Sequence, residues 1–245
     1  NLAAAGDEIS TAGGTGSYQW DTRMVPPSAD AKVRIRAYDG LGYGPFDESD
    51  AAFTVETRPV YWSGAGADDN WSNPDNWVGG QLPGPFAAVR IDGSGSGNPL
   101  IDSSFTGAVG AVTIASDFTG TITQEATLAV NGDLSLSGGI WTYTESDALL
   151  DALEVHGDFT VGSGASLVIT SSSLSGEGAG RAITVDGDLT VAESGSITAD
   201  AKGFSQQNGP GAGQTSSGSG GGGGHGGEGA TYGGSAGGNS YGSIT

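Results

Sequence analysis

The stretch Val130–Leu136, V-N-G-D-L-S-L, recurs as V-H-G-D-F-T-V at Val155–Val161 and as V-D-G-D-L-T-V at Val185–Val191. Apolar side chains fall at alternate positions of each copy, which is the period of a strand with one buried face. A Gly interrupts the apolar series at the point where the chain can bend. One copy cannot bury its apolar face alone, so the repetition predicts a parallel β-solenoid whose coils stack on one another.

Equivalent residues of the three copies are expected to lie in columns along the solenoid. The inward columns would be Val130, Val155 and Val185, and Leu134, Phe159 and Leu189. The aspartates of the phrase would form an outward column of Asp133, Asp158 and Asp188. Stacked carboxylates repel one another, and this repulsion can be relieved by calcium, by backbone N–H groups at the Gly turn, or by water.

The composition limits the classes of function. The 245 residues include 28 acidic and 8 basic side chains, which gives a formal net charge of -20 and a pI near 4.1. This balance argues against binding to nucleic acid or to an anionic membrane surface, because both are negatively charged. The chain has no Cys, so it has neither a disulfide nor a thiolate metal site. No apolar run approaches the roughly 20 residues of a membrane-spanning helix.

Residues 1–57 follow a different pattern. Short alternating stretches predict strands at Ser17–Trp20, Ala31–Tyr38 and Ala52–Val55, with Pro-rich and Gly-rich turns between them. In the second strand one face would carry Val33, Ile35 and Ala37. The order Y-x-W-D-T, V-R-I-R-A-Y-D-G and E-S-D-A-A-F-T-V resembles the second half of the immunoglobulin-like or fibronectin-type-III-like modules of large secreted bacterial proteins. The resemblance implies a partial β-sandwich whose earlier strands we expect upstream.

Residues 58–98 form a connector rich in aromatic side chains. It reads W-x-G-x-G from Trp62, N-W-S-x-x-x-N-W over Asn70–Trp77, P-G at Pro83–Gly84 and V-x-I-D over Val89–Asp92. This order resembles the segment that opens the β-helical passenger of autotransporter-like and filamentous-haemagglutinin-like surface proteins. The resemblance covers about residues 60 to 200 and implies extracellular display and adhesion.

Two candidate sites lie in this connector. Trp62, Trp71 and Trp77 either cap the open first coil of the solenoid, which is the favoured role, or present their ring faces to a sugar. Asp68, Asp69 and Asp75 lie near three Asn residues and offer oxygen ligands for calcium, the one cofactor that the sequence suggests. The alternative for these aspartates is a solvated loop held by Asx turns.

Residues 99–202 are predicted to form the solenoid proper. Glu145–Leu153 departs from the strand pattern and suggests one helical turn or a longer strand connection. Residues 203–245 are dominated by Gly, of which the whole chain has 47. Such a segment is a flexible linker, a set of closely packed polyglycine-type segments, or a loop that returns to the next coil at Tyr241–Thr245.

Catalysis finds little support in the sequence. A polysaccharide lyase needs basic groups to remove a proton, and after Arg90 the chain offers Arg181, Lys202, His156 and His225. Paired carboxylates for hydrolysis occur on nearly any solenoid and therefore carry no weight. The sequence predicts no catalytic residues.

The sequence therefore predicts an all-β chain: a partial immunoglobulin-like sandwich, a Trp-rich cap, a right-handed parallel β-solenoid and a Gly-rich excursion. The expected function is structural or adhesive, without turnover, on the cell surface or in the extracellular space. Partners would be a host surface, a polysaccharide or matrix, or other copies of the chain. The alternatives are a carbohydrate-binding or polysaccharide-active protein and a fibre-forming subunit.

Overall fold

The computed structural model describes residues 20–38, 40–56, 58–144, 152–169, 182–199, 211–216, 219–224 and 228–239. Regular structure in these ranges is almost entirely β, with short 3₁₀ turns at Thr22–Met24 and Pro74–Asn76. In chain order the strands are β1 (Ser28–Ala31), β2 (Arg34–Tyr38), β3 (Tyr43–Glu48), β4 (Phe53–Val55), β5 (Pro59–Tyr61), β6 (Ala88–Ile91), β7 (Leu100–Ile101), β8 (Ala108–Val109), β9 (Ala111–Ile114), β10 (Thr121–Gln124), β11 (Leu128–Val130), β12 (Leu134–Leu136), β13 (Ile140–Tyr143), β14 (Ala152–Val155), β15 (Phe159–Val161), β16 (Ser166–Ile169), β17 (Ala182–Val185), β18 (Leu189–Val191), β19 (Ser196–Thr198), β20 (Thr215–Ser216) and β21 (Ser219–Gly220).

Strands β5 to β19 form three parallel sheets, here called the rod. Sheet 1 has the order β5-β6-β9-β12-β15-β18, sheet 2 the order β7-β10-β13-β16-β19, and sheet 3 the order β8-β11-β14-β17. Successive coils thus add one strand to each sheet, as a parallel β-solenoid requires, and the prediction of an all-β chain with stacked parallel strands is confirmed. Two strands of the rod lie before residue 99, where the sequence pattern places its start, because β5 pairs with β6 and β6 with β9.

The repeated phrases stack in register. Val130 lies opposite Val155, which lies opposite Val185, in sheet 3. In sheet 1 Leu134 lies opposite Phe159, and Phe159 lies opposite Leu189. The register of both predicted columns is therefore confirmed; Val130, Val155, Leu134 and Phe159 are buried, whereas Leu189 in the last described coil is 51% exposed. Alternate residues point into a continuous apolar core, where burial of each large side chain contributes about 1.5 to 3 kcal/mol.

In the second and third phrases, the glycine makes room for the carboxylate of the preceding coil. A Cβ atom on Gly157 would overlap Oδ1 of Asp133, and one on Gly187 would overlap Oδ1 of Asp158. Only Gly leaves that space open, which explains why it interrupts the apolar series at this position. The pattern is thus a packing requirement between coils as well as a bend within one.

The N-terminal region forms two separate antiparallel pairs. Strand β1 pairs with β4, and β2 pairs with β3. The predicted strand over Ala31–Tyr38 is split, since β1 ends at Ala31 and β2 begins at Arg34. Every residue of β2 is exposed, including Ile35 at 59%. Residues 17–19 of the first predicted strand lie outside the described residues, and the sandwich stays a prediction.

The N-terminal region contacts the loop that precedes β6. Arg23 donates from Nη1 to the carbonyl of Leu82 at 2.6 Å, and Phe86 donates its backbone N–H to the carbonyl of Arg23 at 3.3 Å. Asp21 holds the Arg23 guanidinium through a 2.6 Å ion pair, which raises the pKa of Arg23 further. The 3₁₀ turn at Thr22–Met24 is thereby fixed against the start of the rod.

The described parts of the Gly-rich segment, residues 211–216, 219–224 and 228–239, form a set of closely packed chain segments that we call the glycine bundle. Residues 219–224 bond to three neighbours: Gly221 donates to the carbonyl of Gln214 (2.8 Å), Gly222 donates to that of Ala230 (2.8 Å), and Gly222 accepts from Gly238 (2.9 Å). A Cβ on Gly221 would overlap the carbonyl of Ala236. Side chains are therefore excluded at such contacts, and backbone hydrogen bonds hold the segments together.

Candidate functional site

The three connector tryptophans lie inside the rod. Trp62 and Trp77 are 2% exposed and Trp71 is fully buried. Their rings pack edge to face: Trp77 lies 5.3 Å from Trp62 and 5.2 Å from Trp71, and Trp71 lies 5.5 Å from Phe105 between ring centroids. Such aromatic pairs contribute about 0.5 to 1.5 kcal/mol each beyond their burial.

The backbone of the connector holds these rings against the first coil. Trp71 donates its N–H to the carbonyl of Leu100 (2.8 Å), and Leu100 donates to the carbonyl of Asp69 (2.7 Å), so the connector adds to the edge of sheet 2. Asp102 accepts from the backbone N–H of Ser72 at 3.0 Å. The tryptophan faces are thus covered by protein atoms, an arrangement that favours a cap over a platform for sugars.

The three indole N–H groups differ in their hydrogen bonding. Trp62 donates to the carbonyl of Ser96 at 2.9 Å, and Trp77 donates to the carbonyl of Trp71 at 2.8 Å. Within the described residues the Trp71 indole nitrogen is buried without a hydrogen-bond partner. Leaving one buried donor unpaired costs about 1 to 3 kcal/mol, which the packing of the ring must offset.

Asn76 organises the loop between Trp71 and Trp77. Its side chain is fully buried and donates from Nδ2 to the carbonyls of Asp68 and Asn70, both at 2.9 Å. Its Oδ1 accepts from the N–H of Gly66 at 2.8 Å. A 3₁₀ turn follows Asn73, whose Oδ1 accepts from the N–H of Asp75 at 3.0 Å as an N-cap.

The aspartates proposed as calcium ligands serve separate parts of this loop. Asp68 Oδ1 accepts from Asn73 Nδ2 at 2.9 Å and from the N–H of Asn70 at 3.1 Å, and these bonds lower the pKa of Asp68. Asp69 Oδ2 accepts from the N–H of Asn98 at 3.2 Å, and Asp75 is exposed. Within the described ranges no three His, Cys, Asp or Glu side chains are placed to hold a metal ion, so the structure does not bring Asp68, Asp69 and Asp75 together as a ligand set.

The predicted column of aspartates is bonded to the backbone of the rod. Oδ1 of Asp133 accepts from the N–H of Asp158, and Oδ1 of Asp158 accepts from the N–H of Asp188, each at 2.9 Å. Of the three means of relief considered from the sequence, these two hydrogen bonds between coils, here called rungs, use backbone N–H groups at the Gly turn, namely those of the aspartates that follow Gly157 and Gly187. The carboxylates of Asp133 and Asp158 therefore each tie their own coil to the next.

His156 pairs with the following coil at the outer surface. Its Nδ1 lies 2.7 Å from Oδ2 of Asp186, and both side chains are about half exposed. A shallow depression between sheets 1 and 2 is lined by Ser, Thr and Gly with Phe118 and Ile140, so neither His156 nor an aspartate faces it. His225 lies outside the described residues. The geometry brings no acid and base together at an open cleft in the described part of the chain.

The hairpin of β2 and β3 carries a surface group that the sequence reasoning missed. On one face, Lys32 and the two strands place side chains in the order Lys32, Glu48, Arg34, Phe46, Arg36, Tyr43 and Tyr38, which we call the cation–aromatic ladder. Each side chain contacts the next, except that Phe46 and Arg36 are paired through the strand register. The guanidinium carbon of Arg36 lies 3.7 Å from the ring centre of Tyr43, and that of Arg34 lies 4.1 Å from that of Phe46. The alternation R-I-R-A-Y was visible, but Gly44 and Pro45 concealed β3.

Comparisons with protein-family models, with curated proteins and with solved structures find no match to this chain. The described residues include no helix with the length and apolar character needed to cross a bilayer.

Proposed function

We propose that this chain is a non-enzymatic structural and adhesive segment of a larger bacterial surface or secreted protein. In this proposal a right-handed parallel β-solenoid acts as a rigid spacer between the N-terminal region and the glycine bundle. The two hydrogen-bonded rungs from Asp133 to Asp158 and from Asp158 to Asp188 support it most directly. Polar side chains of the repeat are used to lock coils together instead of lining an open cleft.

The dimensions suit a spacer. The six strands of sheet 1 give a rod of about 24 Å at the usual strand separation of about 4.8 Å. The order of aromatic and Gly residues from Trp62 to Asp92, which is similar to the opening of adhesin passengers, supports display outside the cell. The two antiparallel pairs β1–β4 and β2–β3 are assigned in this proposal to a partial immunoglobulin-like module.

A specific observation favours a fibre-forming role as a second candidate. Within the described residues β17, β18 and β19 have a strand neighbour on one side only. Leu189, Val191 and Ile197 on these strands are 51%, 44% and 37% exposed. Unpaired backbone groups beside exposed apolar side chains form an edge that can pair with a further coil or another chain.

Adhesion and catalysis can be separated by one experiment on the whole chain. Beads coated with the protein are expected to adhere to surfaces bearing polysaccharide or matrix components. The same polysaccharides, incubated with soluble protein, should release neither new reducing ends nor unsaturated sugars. Release of either product would overturn the non-enzymatic assignment, and filaments seen by electron microscopy would favour the fibre-forming candidate.

A further inference from the structure

The exposed aromatic residues of the hairpin differ from the buried tryptophans of the rod. Tyr38, Tyr43 and Phe46 are 51%, 58% and 57% exposed. They lie on one face of a two-stranded sheet, and the rings of Tyr38 and Tyr43 are 4.8 Å apart. Large aromatic side chains grouped at the surface of a soluble protein commonly mark a binding site.

Positive charge is concentrated at the same place. Lys32, Arg34 and Arg36 are three of the eight basic residues of the chain, and they alternate over the start of β2 and the two residues before it. Glu48 binds Arg34 at 2.8 Å and Lys32 at 2.9 Å, and these contacts lower the pKa of Glu48. A chain with a net charge of -20 therefore presents a locally cationic strip at this hairpin.

Arg36 has no acidic partner within the described residues. Its guanidinium stacks on Tyr43, and stacking occupies the face of the group while its N–H donors stay at the edge. Those donors match a carboxylate in a bidentate arrangement. Next to them, the exposed ring of Tyr38 offers an apolar surface that suits the C–H face of a sugar ring.

We propose that the cation–aromatic ladder binds a polysaccharide that carries carboxylate groups, with Arg36 holding a sugar carboxylate and Tyr38 and Tyr43 packing against the sugar rings. The ladder extends over roughly 20 Å at about 3.3 Å per residue, so it suits a polymer better than a single sugar. The inference rests on the proposed adhesive function and names the surface and the ligand class for it.

Other occupants fit the observations less well. Nucleic acid also combines aromatic stacking with negative charge, but its binding depends on neutralising several closely spaced phosphates. Glu48 already occupies two of the three cations of the ladder, and the remainder of the chain is strongly acidic. A second copy of the chain could supply a carboxylate, but it would bring another net charge of -20 to the contact.

The test titrates the whole chain with polygalacturonate oligosaccharides in a calorimeter. Neutral cello-oligosaccharides and poly(dT) serve as comparison ligands. Arg36→Gln is expected to weaken polygalacturonate binding by about tenfold or more, since a bond to a charged group is lost. Arg36→Lys should weaken it less, because the charge stays while the planar fork is lost. Arg58→Gln removes the same charge at an exposed position outside the ladder and should leave binding unchanged.

Several results would overturn the proposal. Equal binding by Arg36→Gln and Arg58→Gln would place the polysaccharide elsewhere, and tighter binding of poly(dT) would assign the ladder to nucleic acid. Dimerisation in sedimentation velocity that Arg36→Gln abolishes, without polygalacturonate binding, would assign it to self-association. If the ladder is not the binding surface, beads coated with Arg36→Gln would adhere as well as beads coated with the unmodified chain. If the adhesive function itself is wrong, beads coated with the unmodified chain would not adhere.

Discussion

The rod and the glycine bundle hold neighbouring segments together by opposite means. In the rod, each strand bonds to neighbours within one sheet, and inward side chains such as Phe159, which is 1% exposed, fill the space between the three sheets. In the bundle, residues 219–224 form backbone hydrogen bonds with Gln214, Ala230 and Gly238, which lie on three neighbouring stretches of chain. One region is filled by side chains and the other excludes them.

This difference predicts opposite sensitivities to substitution. The rod should tolerate changes of volume on its outer face but not a change of polarity in its core, because burial of apolar surface stabilises it. The bundle should tolerate a change of polarity at its surface but not an added methyl group where a carbonyl lies against a glycine. Single substitutions in each region can test both halves of this contrast.

The largest effect is expected for Phe159→Asp in the core of the rod. The substitution removes a fully packed ring and places a carboxylate among Leu134, Leu189 and the neighbouring coils. We expect a loss of more than about 4 kcal/mol in the free energy of unfolding, since cavity formation and charge burial add. Thermal unfolding followed by circular dichroism measures the change.

The matched control is Thr160→Asp, one residue further along the same strand. Thr160 points outward between Ser135 and Thr190, so the new charge would lie at the surface. Its effect should be within about 0.5 kcal/mol. Equal destabilisation by the two variants would contradict the inward and outward assignment of β15.

A smaller but substantial effect is expected at the end of the rod. Trp77→Ala removes a ring that is 2% exposed and packs against both Trp62 and Trp71. The loss should be about 3 to 5 kcal/mol, measured by denaturant unfolding. Trp20→Ala is the control, because Trp20 is 38% exposed and contacts Phe53 away from the rod. An unchanged midpoint for Trp77→Ala would argue against a cap.

The strands of the rod and their inward residues could be predicted from the sequence, because a short stretch of residues determines them. Strict alternation in Val130–Leu136 and its copies fixes both the strand period and the inward residues, and stacking follows from repetition. The pairing of β5 and β6 in sheet 1 could not be predicted, because residues 62–87 lie between the two strands and interrupt the regular spacing of the repeat. The local sequence of a strand does not indicate that it pairs with another strand across such an insertion.

The sequence predicts which residues belong to the candidate sites, but it does not predict which residues they contact. The sequence selected Trp62, Trp71 and Trp77, but the bond from Ser72 to Asp102 joins residues that are 30 positions apart. Asp68 lay among asparagines that suggested metal ligands, and those asparagines instead donate to it. For the Gly-rich segment the sequence left linker, packed segments and loop open, and the backbone bonds of the described residues correspond to packed segments.

In the glycine bundle, adding one methyl group at a close contact is expected to reduce stability. Gly221→Ala places a Cβ against the carbonyl of Ala236, whereas in Gly223→Ala the nearest atom is the Gly211 carbonyl oxygen at 3.6 Å, an ordinary contact. We expect Gly221→Ala to cost about 1 to 3 kcal/mol of local stability, which hydrogen exchange detects as lost protection of the amides of Gly222 and Gly238. The neighbouring variant should preserve that protection. Loss of protection in both would show that the segment responds to composition and not to this contact.

The smallest expected effect is a difference in pH dependence between the connector loop at the end of the rod and the glycine bundle. The bonds from Asn73 and Asn70 lower the pKa of Asp68 below its unfolded value of about 3.9, so they stabilise the connector loop above that pH and the contribution is lost as pH falls through the folded pKa. We expect the midpoint of thermal unfolding to differ between the unmodified chain and Asp68→Asn at neutral pH, and we expect this difference to become smaller in acid. Asp75→Asn, at an exposed carboxylate in the same loop, is the control. The glycine bundle, where Glu228 is the one acidic side chain among the described residues, should keep its hydrogen-exchange protection over this range. A parallel acid-induced loss in both regions would contradict their independence.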